Sequence, residues 1–174
     1  MSNLHLIHIA RHDAVQPRRL TFGTLNVRSL NNKVDIVKQF RVDVGTDVLC
    51  PTETWHEDAD AVPIRRLRCE GLQVVERARP LPTNAKLDNI GFTNHGSVAI
   101  VATNNIRVAV LPPVLSSSAF GPLCARITSR GASCVVLLVY RPGSQAVSPQ
   151  FFTDLTKIIE HCRHWPYRLS SPVT

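Results

Sequence analysis

Residues 47–55 read DVLCPTETW, a short apolar run that stops on a carboxylate with a threonine on each side and a tryptophan just after. The apolar part suits a buried strand, Asp47 to Thr52. Pro51 has no N–H to give to a sheet ladder, so it belongs at a strand end or on an edge strand. Strand ends are where a rigid sheet hands functional groups to a cleft. Glu53 is therefore either such a group or a solvated tip, and its neighbours decide which.

Upstream, LTFGTLNV (Leu20 to Val27) reads as another strand, and NNKVDIVKQF carries Val34, Val37 and Phe40 at helical spacing. Residues 1–19 have no clear period and read as a poorly ordered leader ending in the basic QPRRL. Downstream, AVPIRRLRCEG predicts a short helix or turn with Arg65, Arg66 and Arg68 on its polar face. LQVVERA is strand-like. Residues 79–95 have the Pro, Asn and Gly content of a long loop. The β segments SVAIVA, IRVAVL, LCARITS and SCVVLLVY follow, with a hairpin at SRGAS joining the last two. A final helix has Ser148 as N-cap, Pro149 in its first position, and Phe151, Phe152, Leu155, Ile158, Ile159 and Cys162 on one face. Residues 163–174 form a divergent tail without a usable period.

The 174 residues (19.3 kDa) fit one domain with a core of its own, or a piece of a larger one. An apolar content of 44% argues against a disordered chain, and no stretch is long and apolar enough for a membrane span. The start, MSNLHLIHIARHD, lacks the pattern of a signal peptide. A net charge of +7 and a pI near 9.6 favour polyphosphate partners, although a merely well-solvated basic surface has the same composition. Five widely spaced cysteines without a C-x-x-C pair point to a reducing compartment, hence an intracellular protein of nucleus or cytoplasm rather than a secreted one.

Three strand ends carry polar groups: Asn26 in LNVRSL, Glu53 in TETW, and Tyr140 with Arg141 in LLVYRPGS. Asparagine ends many strands and tyrosine plugs many strand termini, so each is weak alone. If the first two strands are parallel neighbours, Asn26 and Glu53 share a rim, where a carboxylate suits a hard dication and a phenol with a guanidinium suits a phosphate. The pairs His5/His8 and His161/His164 have metal-like spacing without further ligands, and His12, His56 and His95 lie in loops with no assigned role.

TFGTLNVRSLNNK, DVLCPTETW, NHGSVAI and LLVYRPGS, in this order, resemble the endonuclease/exonuclease/phosphatase superfamily. They are most similar to the apurinic-type endonuclease domain ahead of the reverse transcriptase in non-LTR (LINE-type) retrotransposons, over residues 20–162. The resemblance implies an α+β fold, a two-sheet β-sandwich flanked by helices, and Mg²⁺-dependent (or Mn²⁺-dependent) cutting of DNA phosphodiesters. It implies that Glu53 is the metal carboxylate, that Asn26 helps order the metal, and that Tyr140 contacts the scissile phosphate. Arg28 stands where retrotransposon members commonly have arginine and the wider superfamily aspartate. With Arg65, Arg66, Arg68 and Arg141 it is a candidate for non-specific, salt-dependent DNA contacts. In the parent element the partner would be a downstream reverse transcriptase domain.

The family's later G-D-x-N and S-D-H motifs, which activate water and orient the phosphate, do not occur in these residues. The sequence therefore predicts about two-thirds of such a domain, inactive as it stands and binding metal weakly. A non-catalytic nucleic-acid-binding remnant, or a phosphoesterase of the same superfamily, is the alternative. The strands found amount to roughly one sheet, so Val98, Ile100, Val135, Leu137 and Val139 are expected to face a missing second layer, leaving the chain marginal and prone to associate.

Overall fold

The computed structural model describes residues 6–10, 19–78, 96–112, 120–129, 132–141 and 146–164. The strands are β1 (Leu6–Ala10), β2 (Phe22–Asn26), β3 (Val48–Thr52), β4 (Leu72–Arg77), β5 (Val98–Thr103), β6 (Arg107–Val110), β7 (Gly121–Ser129) and β8 (Ala132–Tyr140). The helices are α1 (Val34–Val44), α2 (Val62–Cys69) and α3 (Pro149–His164). The loop expected over residues 79–95 and the tail from 165 onward lie outside the described residues.

Two four-stranded sheets form, ordered β2-β3-β5-β4 and β1-β8-β7-β6. In the first, β2 and β3 are parallel, and the other neighbours are antiparallel. The second is antiparallel throughout. Their inner faces meet through Val48, Cys50, Val98, Ile100 and Ala102 on one side and Leu123, Ala125, Ile127, Cys134, Val136 and Leu138 on the other. Outside the first sheet, Leu49, Val74, Ala99 and Val101 pack under Val34, Val37, Ile64 and Leu67 of α1 and α2. Outside the second, Cys124, Val135, Leu137 and Val139 pack under Ile158 and Cys162 of α3. The result is a helix–sheet–sheet–helix sandwich, the fold class expected from the sequence.

The expectation of a missing layer is corrected on two counts. The strands supply both sheets, because β1 joins β8 and the eight strands divide four and four. Val98 and Ile100 face the second sheet, whereas Val135, Leu137 and Val139 face α3. Both rows of β8 are apolar because each has its own cover, helix on one side and sheet on the other. Such doubly covered strands read as continuous apolar runs instead of alternating ones.

Two local readings also change. The strand Leu6–Ala10 lies in the stretch read as a leader, since its partner is β8 and no nearby residue signals the pairing. Pro51 is near a strand end as expected, but β3 is interior and not an edge. The β3–β5 register runs Val48↔Ala102 and Leu49↔Val101 and resumes at Thr52↔Val98, so the residue without an N–H falls where the ladder is interrupted.

The helix ends obey local rules. Gly45 closes α1 in a left-handed conformation (φ 64°), with its N–H on the Val42 carbonyl and the Thr46 N–H on that of Arg41. Ser148 caps α3 as expected, its Oγ accepting the Phe151 N–H at 3.3 Å. Phe151 then meets Phe120 edge-on, with ring centroids 5.1 Å apart. Because the inter-sheet layer is the common floor of both halves, truncating Leu138, which has no exposed surface, should destabilise the whole chain by about 2–5 kcal/mol. Urea unfolding of Leu138→Ala checks this; a loss well under 1 kcal/mol would mean that the sheets do not pack as one core.

Candidate active site

Parallel pairing sets the rim. β2 and β3 run side by side in register Phe22↔Val48 to Asn26↔Thr52, so Asn26 and Glu53 leave the same end of the sheet. The ladder then continues into the loops. Val27 N–H bonds to the Thr52 carbonyl at 3.0 Å, Ser29 N–H to that of Glu53 at 2.6 Å, and Leu30 N–H to that of Thr54 at 2.9 Å. Val27 and Leu30 are buried and anchor this loop from below. Lys33 Nζ reaches back to the Val27 and Arg28 carbonyls at 2.7 and 3.0 Å, clamping the turn.

The backbone here is unusual. Arg28, Ser29, Asn32, Glu53 and Trp55 all have positive φ, between 44° and 83°. Non-glycine residues in that region cost of order 1–3 kcal/mol each and persist only where their surroundings over-determine them. The surroundings do so. Thr54, between the two left-handed residues Glu53 and Trp55, is buried and donates its N–H to the Ser97 carbonyl at 3.0 Å. Its hydroxyl lies 2.7 Å from His56 Nδ1, and His56 Nε2 lies 2.6 Å from Glu76 Oε2 on β4. Ser97 Oγ donates to the His56 carbonyl at 2.9 Å. A carboxylate only accepts, so Nε2 carries a proton toward Glu76, and Nδ1 shares the second hydrogen bond with the Thr54 hydroxyl.

His56, left without a role by the sequence reading, is thus the buried pivot of the Glu53 turn. Its side chain is fully buried and that of Glu76 nearly so. The signal that could have found it is the TETWHE spacing, a histidine three residues past a strand-end glutamate; its partner Glu76, twenty residues further on, was not legible.

The third strand end arrives from the other sheet. Tyr140 closes β8 and is half-buried, with its ring over Gly96. A Cβ on Gly96 would stand 2.8 Å from Tyr140 Cδ1 and closer still to Cε1, and Gly96 has φ 102°, so the approach needs glycine twice over. Gly96 precedes Ser97, which holds Thr54, which follows Glu53. The TET, GS and VYR segments (Gly96 and Ser97 in the second), separate in sequence, therefore meet at one rim.

Asn26 is exposed, and its Oδ1 accepts the Arg28 N–H at 3.2 Å. Glu53 and Arg141 are half-buried and Arg28 is exposed. The α2 arginines differ among themselves. Arg65 is exposed, and Arg66 pairs with Asp35 at 3.0 Å. Arg68 turns inward from the polar face expected of it, donating to the Ala59 and Val74 carbonyls at 2.7 and 3.4 Å. Arg68 is thereby used to fasten α2 to the sheet. His161, on α3, lines a pocket with Arg77 and Cys124.

Among the described residues, no three His, Cys, Asp or Glu side chains gather to hold a metal ion. The rim offers one carboxylate and one neutral amide. That donor set fits only a hard dication that keeps most of its waters, and would hold it weakly.

The hydrogen bond from His56 holds the Glu76 carboxyl below the usual carboxylate range, against the opposing effect of burial. A carboxylate depressed in the folded state contributes stability above its unfolded pKa of about 4.3, and that contribution fades as pH falls through the folded value. Glu76→Ala, which leaves the buried Nε2–H without its acceptor, should cost about 1–3 kcal/mol at pH 7. The gap between wild type and variant should narrow below about pH 4. Urea unfolding at both pH values tests this, and a gap unchanged between them would remove Glu76 from the account.

No family model and no curated protein matches the sequence. Among solved structures, the chain is similar to the 3′-5′ exonuclease NExo from Neisseria meningitidis, at 21% identity and a TM-score of 0.50, over 81% of this chain and 52% of that one. A second structure, the 3′ phosphatase NExo from Neisseria bound to a product DNA hairpin, aligns at 15% identity and a TM-score of 0.49, over 83% of this chain and 51% of the other. The chain spans about half the length of both. The architecture is that of the endonuclease/exonuclease/phosphatase fold, two packed sheets with helices on their outer faces.

Proposed function

We propose that these residues are the first part of a Mg²⁺-dependent DNA endonuclease domain of the non-LTR retrotransposon type, and that they do not cut DNA by themselves. The observation that carries the reading is the junction at the rim. Parallel β2 and β3 bring Asn26 and Glu53 to one sheet end, and the Thr54–Ser97 bond brings the Gly96–Tyr140 contact beside them. That is one carboxylate for a dication, with a phenol and the Arg141 guanidinium for a phosphodiester.

In this reading Glu53 and Asn26 hold Mg²⁺ or Mn²⁺, which when bound supplies positive charge to polarise a phosphate oxygen. Tyr140 and Arg141 orient the phosphate by hydrogen bonding. The left-handed turn held by His56 keeps the Glu53 carboxylate on the rim rather than along the strand. Removal of a proton from attacking water is assigned to no residue here, because the G-D-x-N and S-D-H segments do not occur in this sequence. Catalytic groups act as a unit, so the remaining ones give little rate alone. In a longer element the partner would be the reverse transcriptase domain that extends the nicked end.

Purified chain with Mg²⁺ is expected to leave supercoiled plasmid intact while binding Mn²⁺ with an affinity on the order of millimolar. Glu53→Gln should abolish that binding, read by water-proton relaxation. Nicking that vanishes in Glu53→Gln would overturn the inactivity, and Mn²⁺ binding untouched by the substitution would overturn the ligand.

Binding of duplex DNA should be independent of sequence and fall steeply with salt, since arginine–phosphate contacts release counterions and read no bases. Fluorescence anisotropy between roughly 50 and 200 mM salt measures the slope. A flat slope, or a strong preference for one duplex, would count against DNA-backbone contacts as the source of affinity.

A further inference from the structure

Cys124 of β7 and Cys162 of α3 face each other across the layer beneath α3, their Sγ atoms 3.2 Å apart. Both are buried, and both help line a pocket bordered by Arg77, Leu111, Pro122 and His161. We propose that Cys124 and Cys162 are a peroxide-responsive dithiol that closes into a disulfide, tying α3 to the sheet that ends in Tyr140.

The geometry is nearly that of the product. A disulfide has its sulfurs about 2.05 Å apart, so the two must close by only about 1 Å, within reach of small side-chain rotations. The pocket brings solvent to the pair, and a peroxide is little larger than water. The two thiols are not equivalent. Either S–H can donate to the other sulfur; with the proton on Cys124, the Cys162 thiol is held below its ordinary value and Cys124 above its own. Cys162 is therefore the attacking thiolate and Cys124 the resolving thiol.

The chemistry balances as follows. The Cys162 thiolate attacks one peroxide oxygen, the O–O bond breaks, and the departing hydroxide takes up the proton that Cys162 lost, giving water and a sulfenic acid. The Cys124 sulfur then attacks the Cys162 sulfur. Hydroxide leaves with the Cys124 proton as a second water, and the S–S bond forms. Two thiols lose two electrons and the peroxide gains them.

The other cysteines do not compete for this reaction. Cys50 and Cys134 lie in the inter-sheet core, where burial pushes their thiols up to about 12 and about 11. Cys69 is exposed on the last residue of α2, distant in the fold from the pair. Its oxidation gives adducts or links between molecules, and a Cys69→Ser background removes them.

Cys69→Ser protein is treated with hydrogen peroxide, blocked with an alkylating reagent, and mapped by non-reducing peptide mass spectrometry. The expected result is a peptide pair joined through Cys124 and Cys162, lighter by two hydrogens and released by dithiothreitol. The thermal midpoint should rise by several degrees, because the bond closes a long loop in the unfolded chain. Adding Cys162→Ser should abolish the link and the rise together. Sulfinic or sulfonic acid on Cys162 without the link would overturn the proposal. So would pairing of Cys50 with Cys134 instead, or recovery of both thiols unmodified after hours in peroxide. The mapping of the Cys69→Ser protein decides the matter even if Cys162→Ser folds poorly.

Discussion

One hydrogen bond, from Thr54 N–H to the Ser97 carbonyl, holds the rim together. It joins the turn after β3 to the start of β5 at a point where Pro51 has already interrupted the regular ladder. From it hang the left-handed residues Glu53 and Trp55, the His56–Glu76 pair that props the turn from beneath, and the glycine over which Tyr140 lies. Backbone bonds supply direction, and the buried imidazole supplies rigidity. A carboxylate on an unrestrained strand tip would sample many orientations, and here the chain after it is fixed on both sides.

The framework around this rim follows from two kinds of burial. β3, β5 and β8 are covered on both faces, which demands apolar residues at nearly every position. β6, exposed at Arg107 and Val110, is an edge strand and correspondingly short. On the helix side, Lys38 links Asp35 of α1 to Glu70 beyond α2, and Arg66 reaches Asp35 from α2. These exposed pairs set how the two helices lie beside each other more than they stabilise the chain.

Most elements were legible because their signals are local. Val34, Val37 and Phe40 mark α1, Ser148 and Pro149 start α3, and the SRGAS joint aligns Ser129 with Ala132. What escaped depends on distant partners. LIHIA is a strand only because β8 accepts it, and the outward row of β8 is apolar only because α3 covers it. At the rim, Asn26, Glu53 and Tyr140 could be picked out as strand ends, and the structure brings their segments together. Glu76 could not be picked out: within VVERA it looks like any solvent-side residue, and its meaning comes from a histidine twenty positions earlier. The inward turn of Arg68 was hidden in the same way by RRLR, which reads as a uniform charged face.

The pairing of the first strand with the last has a consequence for how the chain comes into being. Leu6 pairs with Leu138 and Ala10 with Cys134, so β1 leaves the ribosome long before its partner exists. At roughly 5–20 residues per second, that wait is on the order of ten seconds. The β2-β3-β5-β4 sheet has all its strands by residue 103 and can gather around α1 and α2 while β1 is still unmatched. The hairpin of β7 and β8 forms locally, and β1 then docks on its free side, closing the longest loop in the molecule. Vectorial synthesis thus sets an order in which one sheet precedes the other, and the rim, which draws on both, is completed late.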